Sequence, residues 1–246
     1  MSDRKTVLLT GCSRGIGFEI AKLFLNDGWR VIGTAKKSEF PADLNQSDGF
    51  EGIHVDLENI SSLDTKINSI IKKEHPDVLV NNAGIFTDAD FETDDETWLE
   101  IWDKTMTVNL KSAALLSKWF LQSHLDQNSE GVIINVASRA SYRGDTQEYA
   151  AYAASKAGMV ALTKSMARNF SKRGVVAYSI APGFIETDMA KDAVTTLGKD
   201  YILKDSVFDE ITQPVEVAEL VVFLALGKIP HASGQTFHIN GGSYML

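Results

Sequence analysis

Thr6-Val7-Leu8-Leu9-Thr10 is an apolar run that ends at Gly11 and passes at once into helical spacing, with Ile16, Ile20, Leu23 and Phe24 on one face and Gly28 beyond the end. A strand with one wet face alternates apolar and polar residues, whereas a run that is apolar throughout belongs in a parallel sheet covered on both sides. The pattern recurs down the chain. Further strands are predicted at Trp29–Thr34, Gly52–Val55, Asp77–Val80, Gly131–Val136, Val175–Ile180 and Gln235–Ile239. Helical periodicity predicts a long helix from Glu96 to about Gln127, an alanine-rich one from Tyr149 to Ser171, and one from Pro214 to about Leu226. Proline is harmless in the first turn of that last helix, where its missing N–H has no partner to lose. Alternating strands and helices predict one α/β domain over residues 1–246, a doubly wound parallel sheet of about seven strands with helices on both faces. Two stretches fit less well. Lys36 to Phe50, with Pro41 and Gly49, predicts a short or irregular crossover. Glu186 to Thr212 is too long for a plain connection and reads as a lid over a binding site.

A chain of 246 residues can bury one large core without disulfides or a structural metal. Cys12 is the single cysteine, so no internal disulfide forms. The net charge of −9 works against binding the phosphates of nucleic acids or anionic lipids. No apolar run is long enough to span a bilayer, and no signal-like segment precedes the first strand. A cytoplasmic protein with neither nucleic-acid nor membrane partners is therefore expected. The histidines are scattered without ligand spacing, and the acidic residues between Asp88 and Asp95 read as a solvated rim, so no metal site is expected.

The candidate chemistry lies at strand ends. Thr10-Gly11-Cys12-Ser13-Arg14-Gly15-Ile16-Gly17 joins the first strand to the first helix. Glycines there allow a tight turn and close approach to a pyrophosphate, and the helix N-terminus offers free N–H groups and partial positive charge. Such a turn in this context predicts dinucleotide binding. The second strand ends Gly33-Thr34-Ala35-Lys36-Lys37 with no acid before Glu39. An acid there would take the free ribose 2′-hydroxyl, whereas cations suit a 2′-phosphate. Lys36, Lys37 and Arg14, with the Thr34 hydroxyl, thus favour NADP(H), with NAD(H) possible; the two lysines also read as a solvated loop. Tyr152 and Lys156 stand four apart on one helix face. A fixed ammonium is expected to lower the phenol's affinity for its proton and fit Tyr152 for proton transfer. Ser138 closes the fifth strand, where a hydroxyl could hold a substrate oxygen or merely cap a turn. Asn109 falls in mid-helix, an unfavourable place that invites a kink or a water-holding role.

Together these residues resemble the short-chain dehydrogenase/reductase family, a single-domain Rossmann fold, over nearly the whole chain. The resemblance extends to Asn81-Asn82-Ala83-Gly84, Pro182-Gly183 and Asn240-Gly241-Gly242. It implies a catalytic tetrad of Asn109, Ser138, Tyr152 and Lys156, with Asn109 helping to hold a water near Lys156. It also implies cofactor contacts from Gly11, Ser13, Arg14, Gly15, Ile16 and Gly17. Thr34 and Lys36 would serve the ribose, Asp56 with Leu57 the adenine, and Asn82, Ala83 and Gly84 the adenosine wall. Lys156 would hold the nicotinamide ribose, and Ile185 and Thr187, following Pro182 and Gly183, the carboxamide. The expected reaction is hydride transfer between NADP(H) and a small-molecule carbonyl or secondary alcohol, in a homotetramer or dimer associating through the two long helices. Pro182 to Met189 and Val31 to Ala35 look most like bacterial 3-oxoacyl-[acyl-carrier-protein] reductases. Glu130, however, stands where those reductases offer a basic carrier-docking residue, although Arg173 keeps one basic position. A carrier-dependent reductase and a non-catalytic dinucleotide sensor are the alternatives. Arg139 and Arg143, just after Ser138, could meet an anionic substrate group or lie at a surface or subunit interface.

Overall fold

The computed structural model describes residues 4–187, 195 and 198–245. Its centre is a seven-stranded sheet, wholly parallel, ordered β3-β2-β1-β4-β5-β6-β7. The strands are β1 (Thr6–Leu9), β2 (Arg30–Ala35), β3 (Phe50–His54), β4 (Val78–Asn81), β5 (Gly131–Val136), β6 (Val175–Pro182) and β7 (Thr236–Ile239). The order reverses between β1 and β4, which opens a crevice beyond the carboxyl ends of those two strands.

The two-faced burial predicted from apolar strands is found. Val7 and Leu9 of β1 face one core with Ile20, Phe24, Val217 and Val221, while Leu8 between them faces the other with Ile67, Leu116 and Phe120. The first core is closed by α1 (Gly15–Asn26), and the second by α3 and α4. The α3 stretch runs through Ile60–Leu63, a π turn Asp64–Asn68 and Ser69–Glu74. The α4 stretch runs through Asp95–Met106, a π turn Thr107–Lys111 and Ser112–Gln127. Phe120 is fully buried, and its truncation to alanine would cost about 3–5 kcal/mol. Asp94 starts α4 by accepting the Thr97 N–H at 3.0 Å.

The crossover between β2 and β3 is indeed short: α2 covers only Ala42–Asn45. The α3 stretch lies outside the helices predicted from the sequence. Beyond β5 come α5 (Ala140–Arg143) and α6 (Ala150–Phe170), and beyond β6 come α7 (Lys199–Leu203) and α8 (Pro214–Ala225). A capping box of Gln213 and Glu216 starts α8. The expected lid falls partly on positions 188–194, 196 and 197, which lie outside the described residues; the rest contributes α7. Among the described residues no helix is long and apolar enough to cross a membrane.

Candidate active site

The glycine turn is shaped by close backbone approach. A Cβ on Gly17 would lie 2.0 Å from the Gly11 carbonyl oxygen, so no other residue fits there. Gly11 and Gly15 take φ of 71° and 57°, the left-handed region that favours glycine. The turn is tied to β4: Asn82 donates its side-chain amide to the carbonyls of Thr10 (3.0 Å) and Gly11 (2.9 Å). The Thr10 hydroxyl in return accepts the N–H groups of Asn82 (3.0 Å) and Ala83 (3.1 Å). No side chain caps α1, so the N–H groups of its first turn face the crevice at the positive end of the helix dipole. This cradle fits a pyrophosphate. Ser13 and Ile16 are partly exposed along it, and Arg14 is exposed.

At the adenosine end the predicted residues gather, though in different roles. Thr34 is buried, and its hydroxyl accepts the Gly11 N–H at 3.3 Å, bracing the turn. Lys36 pairs with Asp56 at 2.8 Å and Glu58 at 3.5 Å, so the lysine expected at the ribose and the acid expected at the adenine hold each other. Hydrogen bonds to Asp56 raise the Lys36 pKa, and Asp56, despite partial burial, is lowered by the same bond. Leu57 is buried beside them. Among the described residues Arg14 has no ion-pair partner. Cys12 fills space under the turn; burial pushes its thiol up to about 12.

At the other end the four tetrad residues converge. A Cβ on Gly84 would sit 3.3 Å from Lys156 Nζ and 3.4 Å from Asn109 Oδ1. The π turn sets Asn109 inward: its Oδ1 accepts the Ile85 N–H (2.8 Å), and its amide donates to the Ile85 carbonyl (3.0 Å) and Ser155 Oγ (3.1 Å). The mid-helix asparagine is thus explained by a local widening of the helix and a clamp on the chain after β4. Lys156 is buried and donates to the Val136 carbonyl at 2.8 Å. Ser138 lies close enough to the Tyr152 phenol to lower its proton affinity, and its hydroxyl accepts the Ala140 N–H at 3.1 Å.

The electrostatics differ from the sequence-based expectation. Burial pushes Tyr152 up to about 12, more than the Ser138 hydroxyl lowers it, and pushes Lys156 down to about 8. The lysine lies 5.8 Å from the tyrosine ring centroid, bonded to a backbone carbonyl, and its charge does not offset the desolvation of the phenol. Tyr152 therefore stays protonated at neutral pH.

Ile185 is buried, and its backbone bridges to Thr212. Thr187 turns back so that its Cγ2 lies 3.2 Å from a Cβ placed on Gly15, which puts this residue against the glycine turn. Gly183 packs on Asn240, where a Cβ would meet Asn240 Cα at 2.8 Å, and Pro182 ends β6 beside it. The sequence reasoning missed the scaffold beneath. Asn81 donates to Asn135 Oδ1 (2.8 Å) and Ser117 Oγ (3.1 Å), and Asn135 donates to Thr163 Oγ1 (2.8 Å), fixing β4 and β5 to α4 and α6. The available signal was asparagine at the ends of otherwise apolar strands.

A crevice at a strand-order reversal, with a glycine turn at one end and a tyrosine–lysine–serine group at the other, defines a nucleotide-binding oxidoreductase. The sequence pattern of the family described as short chain dehydrogenase matches residues 5–198, and the chain belongs to that family. It is 39% identical over 99% of both chains to the 3-oxoacyl-[acyl-carrier-protein] reductase FabG of Vibrio cholerae serotype O1. It is 35% identical over the full length of both chains to the enzyme of the same name from Staphylococcus aureus. Among solved structures, it superposes on a 4-hydroxyisoleucine dehydrogenase complexed with NADH at TM-score 0.89, with 26% identity and 98% of each chain covered. It also superposes on a putative NAD(P)-dependent gluconate 5-dehydrogenase from Beutenbergia cavernae with bound NADP at TM-score 0.90, with 28% identity over 97% of this chain and 96% of the other.

Proposed function

We propose that this protein transfers hydride between NADP(H) and a small-molecule carbonyl or secondary alcohol, with Tyr152 as the general acid and base. The observation that carries the reading is the convergence of Lys156 and Asn109 at Gly84, next to a Tyr152 phenol close to Ser138. The cradle of Gly11 to Gly17 would hold a nicotinamide cofactor, which would supply the hydride in reduction and take it up in oxidation. Ser138 donates a hydrogen bond to the substrate oxygen and stabilises the charge that develops there. Tyr152 gives that oxygen its proton in reduction and takes one back in oxidation. Lys156 holds the nicotinamide ribose and returns a proton to Tyr152, and Asn109 shapes the chain beside it and helps hold a relay water. Ile185 and Thr187 hold the carboxamide. The cationic Arg14, Lys36 and Lys37 favour NADP(H) over NAD(H), and Arg14, free of acidic partners among the described residues, carries most of that preference. The protein works in the cytoplasm as a homotetramer or dimer built on α4 and α6.

NADPH oxidation with a panel of carbonyls tests the reading. Tyr152→Phe is expected to lower kcat by on the order of 10²–10⁴-fold while NADPH binding stays within a few-fold; a variant that keeps its turnover would overturn the role given to Tyr152. A second reading, favoured by the full-length similarity to the Vibrio and Staphylococcus reductases, is a carrier-linked 3-oxoacyl substrate. Glu130 and Arg173 precede β5 and β6 at the amino ends of the strands, whereas Ser138 follows the carboxyl end of β5. Comparing turnover of a carrier-linked 3-oxoacyl chain with that of free ketones separates the two.

A further inference from the structure

Arg139 follows Ser138 directly and is only 8% exposed. Its backbone N–H donates to the Pro182 carbonyl at 2.8 Å, which continues the β5–β6 pairing and fixes where its side chain leaves. The guanidinium lies over the Phe184 ring, 4.6 Å from the centroid, and Nη1 donates to Ser243 Oγ at 2.6 Å. Among the described residues no carboxylate comes within ion-pair distance of it. Its neighbour Arg143 adds like charge and lies 4.0 Å from Asp205, while Asp145 and Asp205 act on Arg139 only from beyond ion-pair distance. A guanidinium stays charged under all ordinary conditions, and burying one with its counter-charges held at a distance is unfavourable unless an anion completes the site.

Arg139 also lines a narrow cleft open to solvent, together with Phe184, Ile202, Leu203 and Ser206. Glu210 lies on the same cleft and is exposed at its rim. Two residues of the cleft, Arg139 and Phe184, are chain neighbours of Ser138 and Ile185.

The geometry points to a carboxylate-binding subsite in which Arg139 receives the acidic group of the substrate, so that the protein acts on oxo-acids and hydroxy-acids. The inference rests on the oxidoreductase reading above. One guanidinium stacked on Phe184, in a cleft lined by Ile202 and Leu203 but also by Ser206, Thr212, Asn240 and Ser243, matches a planar monoanion on a short chain. A dianion such as a phosphate would call for a second cation, and Arg143 is already engaged by Asp205. The planar fork of arginine suits a carboxylate bidentately, and Ser243 holds the fork in place. An acyl group linked to a carrier as a thioester offers no such carboxylate, so this substrate class differs from the carrier-linked one.

The experiment compares oxo-acids of increasing chain length with their methyl esters, using the purified protein and NADPH. The expected result is a kcat/KM at least tenfold higher for the best acid than for its ester. In Arg139→Gln that ratio falls at least tenfold, mainly through KM for the acid, and Arg139→Lys recovers part of it. Equal kcat/KM for acid and ester in the unaltered protein, or an equal fall for both in the variant, would make Arg139 a packing residue. Should Arg139→Gln fail to fold, inhibition of ester reduction by glutarate decides: competitive inhibition supports the subsite, and its absence overturns it. Failure to reduce acids and esters alike would instead sink the oxidoreductase reading, with glutarate binding by calorimetry still testing the subsite.

Discussion

The adenosine and nicotinamide ends of the crevice hold similar numbers of polar groups under opposite conditions. At the adenosine end Lys36 is about half exposed, and its partners Asp56 and Glu58 are more than a third exposed. Such solvated pairs contribute about 0–1 kcal/mol and exchange partners readily. At the nicotinamide end Asn109 is fully buried, Lys156 is 3% exposed and Ser138 is 9% exposed. There the same kinds of groups are held by single backbone carbonyls and hydroxyls, and burial moves their proton affinities by large amounts. The outer end is therefore tunable by changing one charge. The inner end behaves as a unit, in which a lost group leaves a buried partner unsatisfied.

Substitutions at the two ends should expose that contrast. The largest effect is expected at Lys156→Ala, a fall in kcat on the order of 10²–10⁴-fold, read from single-turnover reduction. Its pH profile carries a sign. Lys156 loses its proton near pH 8, so reduction slows as pH rises through about 8, and a profile flat from pH 7 to 9.5 would contradict the relay role. Next comes Asn109→Ala, which strands the Ile85 N–H and carbonyl and should destabilise the fold by about 1–3 kcal/mol, measured by chemical denaturation. Arg14→Ala should lower the NADPH-to-NADH ratio of kcat/KM by about tenfold, consistent with about 1.4 kcal/mol. Lys36→Ala should lower it by only about two- to threefold, and added salt should shrink both effects. A Lys36 effect larger than that of Arg14 would reverse their assignment. The smallest effect lies far from the crevice, at His124. Burial lowers its pKa below 6.5, so the unfolded chain binds its proton first on acidification. Stability from this group is present above pH 6.5 and is lost as pH falls through the folded value; in His124→Gln the Tm should respond less to pH over that window.

The strands were legible because burial on both faces leaves an uninterrupted apolar run, and the glycine turn because a Cβ on Gly17 has nowhere to go. The spacing of Tyr152 and Lys156 was legible for the same local reason: four residues on a helix share a face. The α3 stretch was legible too, since Leu63, Ile67 and Ile71 stand four apart on one face, but the π turn inside it was not. The direction of the Tyr152 shift was illegible, since spacing gives the proximity of an ammonium and says nothing about how far the phenol is desolvated. Lys36 and Asp56 are distant in sequence, and they meet only because the ends of β2 and β3 lie side by side. Arg139 reads from the sequence either as an anion-binding arginine or as one at a surface or interface, and its burial shows only once Phe184 and Ser243 are folded over it.

The π turn at Thr107–Lys111 has a genetic corollary. It amounts to one residue more than an α-helix of the same reach requires. Deleting a single codon there would give a regular α-helix of the same reach, with Asp95–Met106 and Ser112–Gln127 keeping the faces they show now. What would be lost is the widened turn that sets the Asn109 side chain against Ile85. A one-residue deletion in the π turn would thus spare the helix and its packing while removing the grip on the chain after β4, whereas the same deletion in a regular α-helical stretch would turn one half against the other by about 100°.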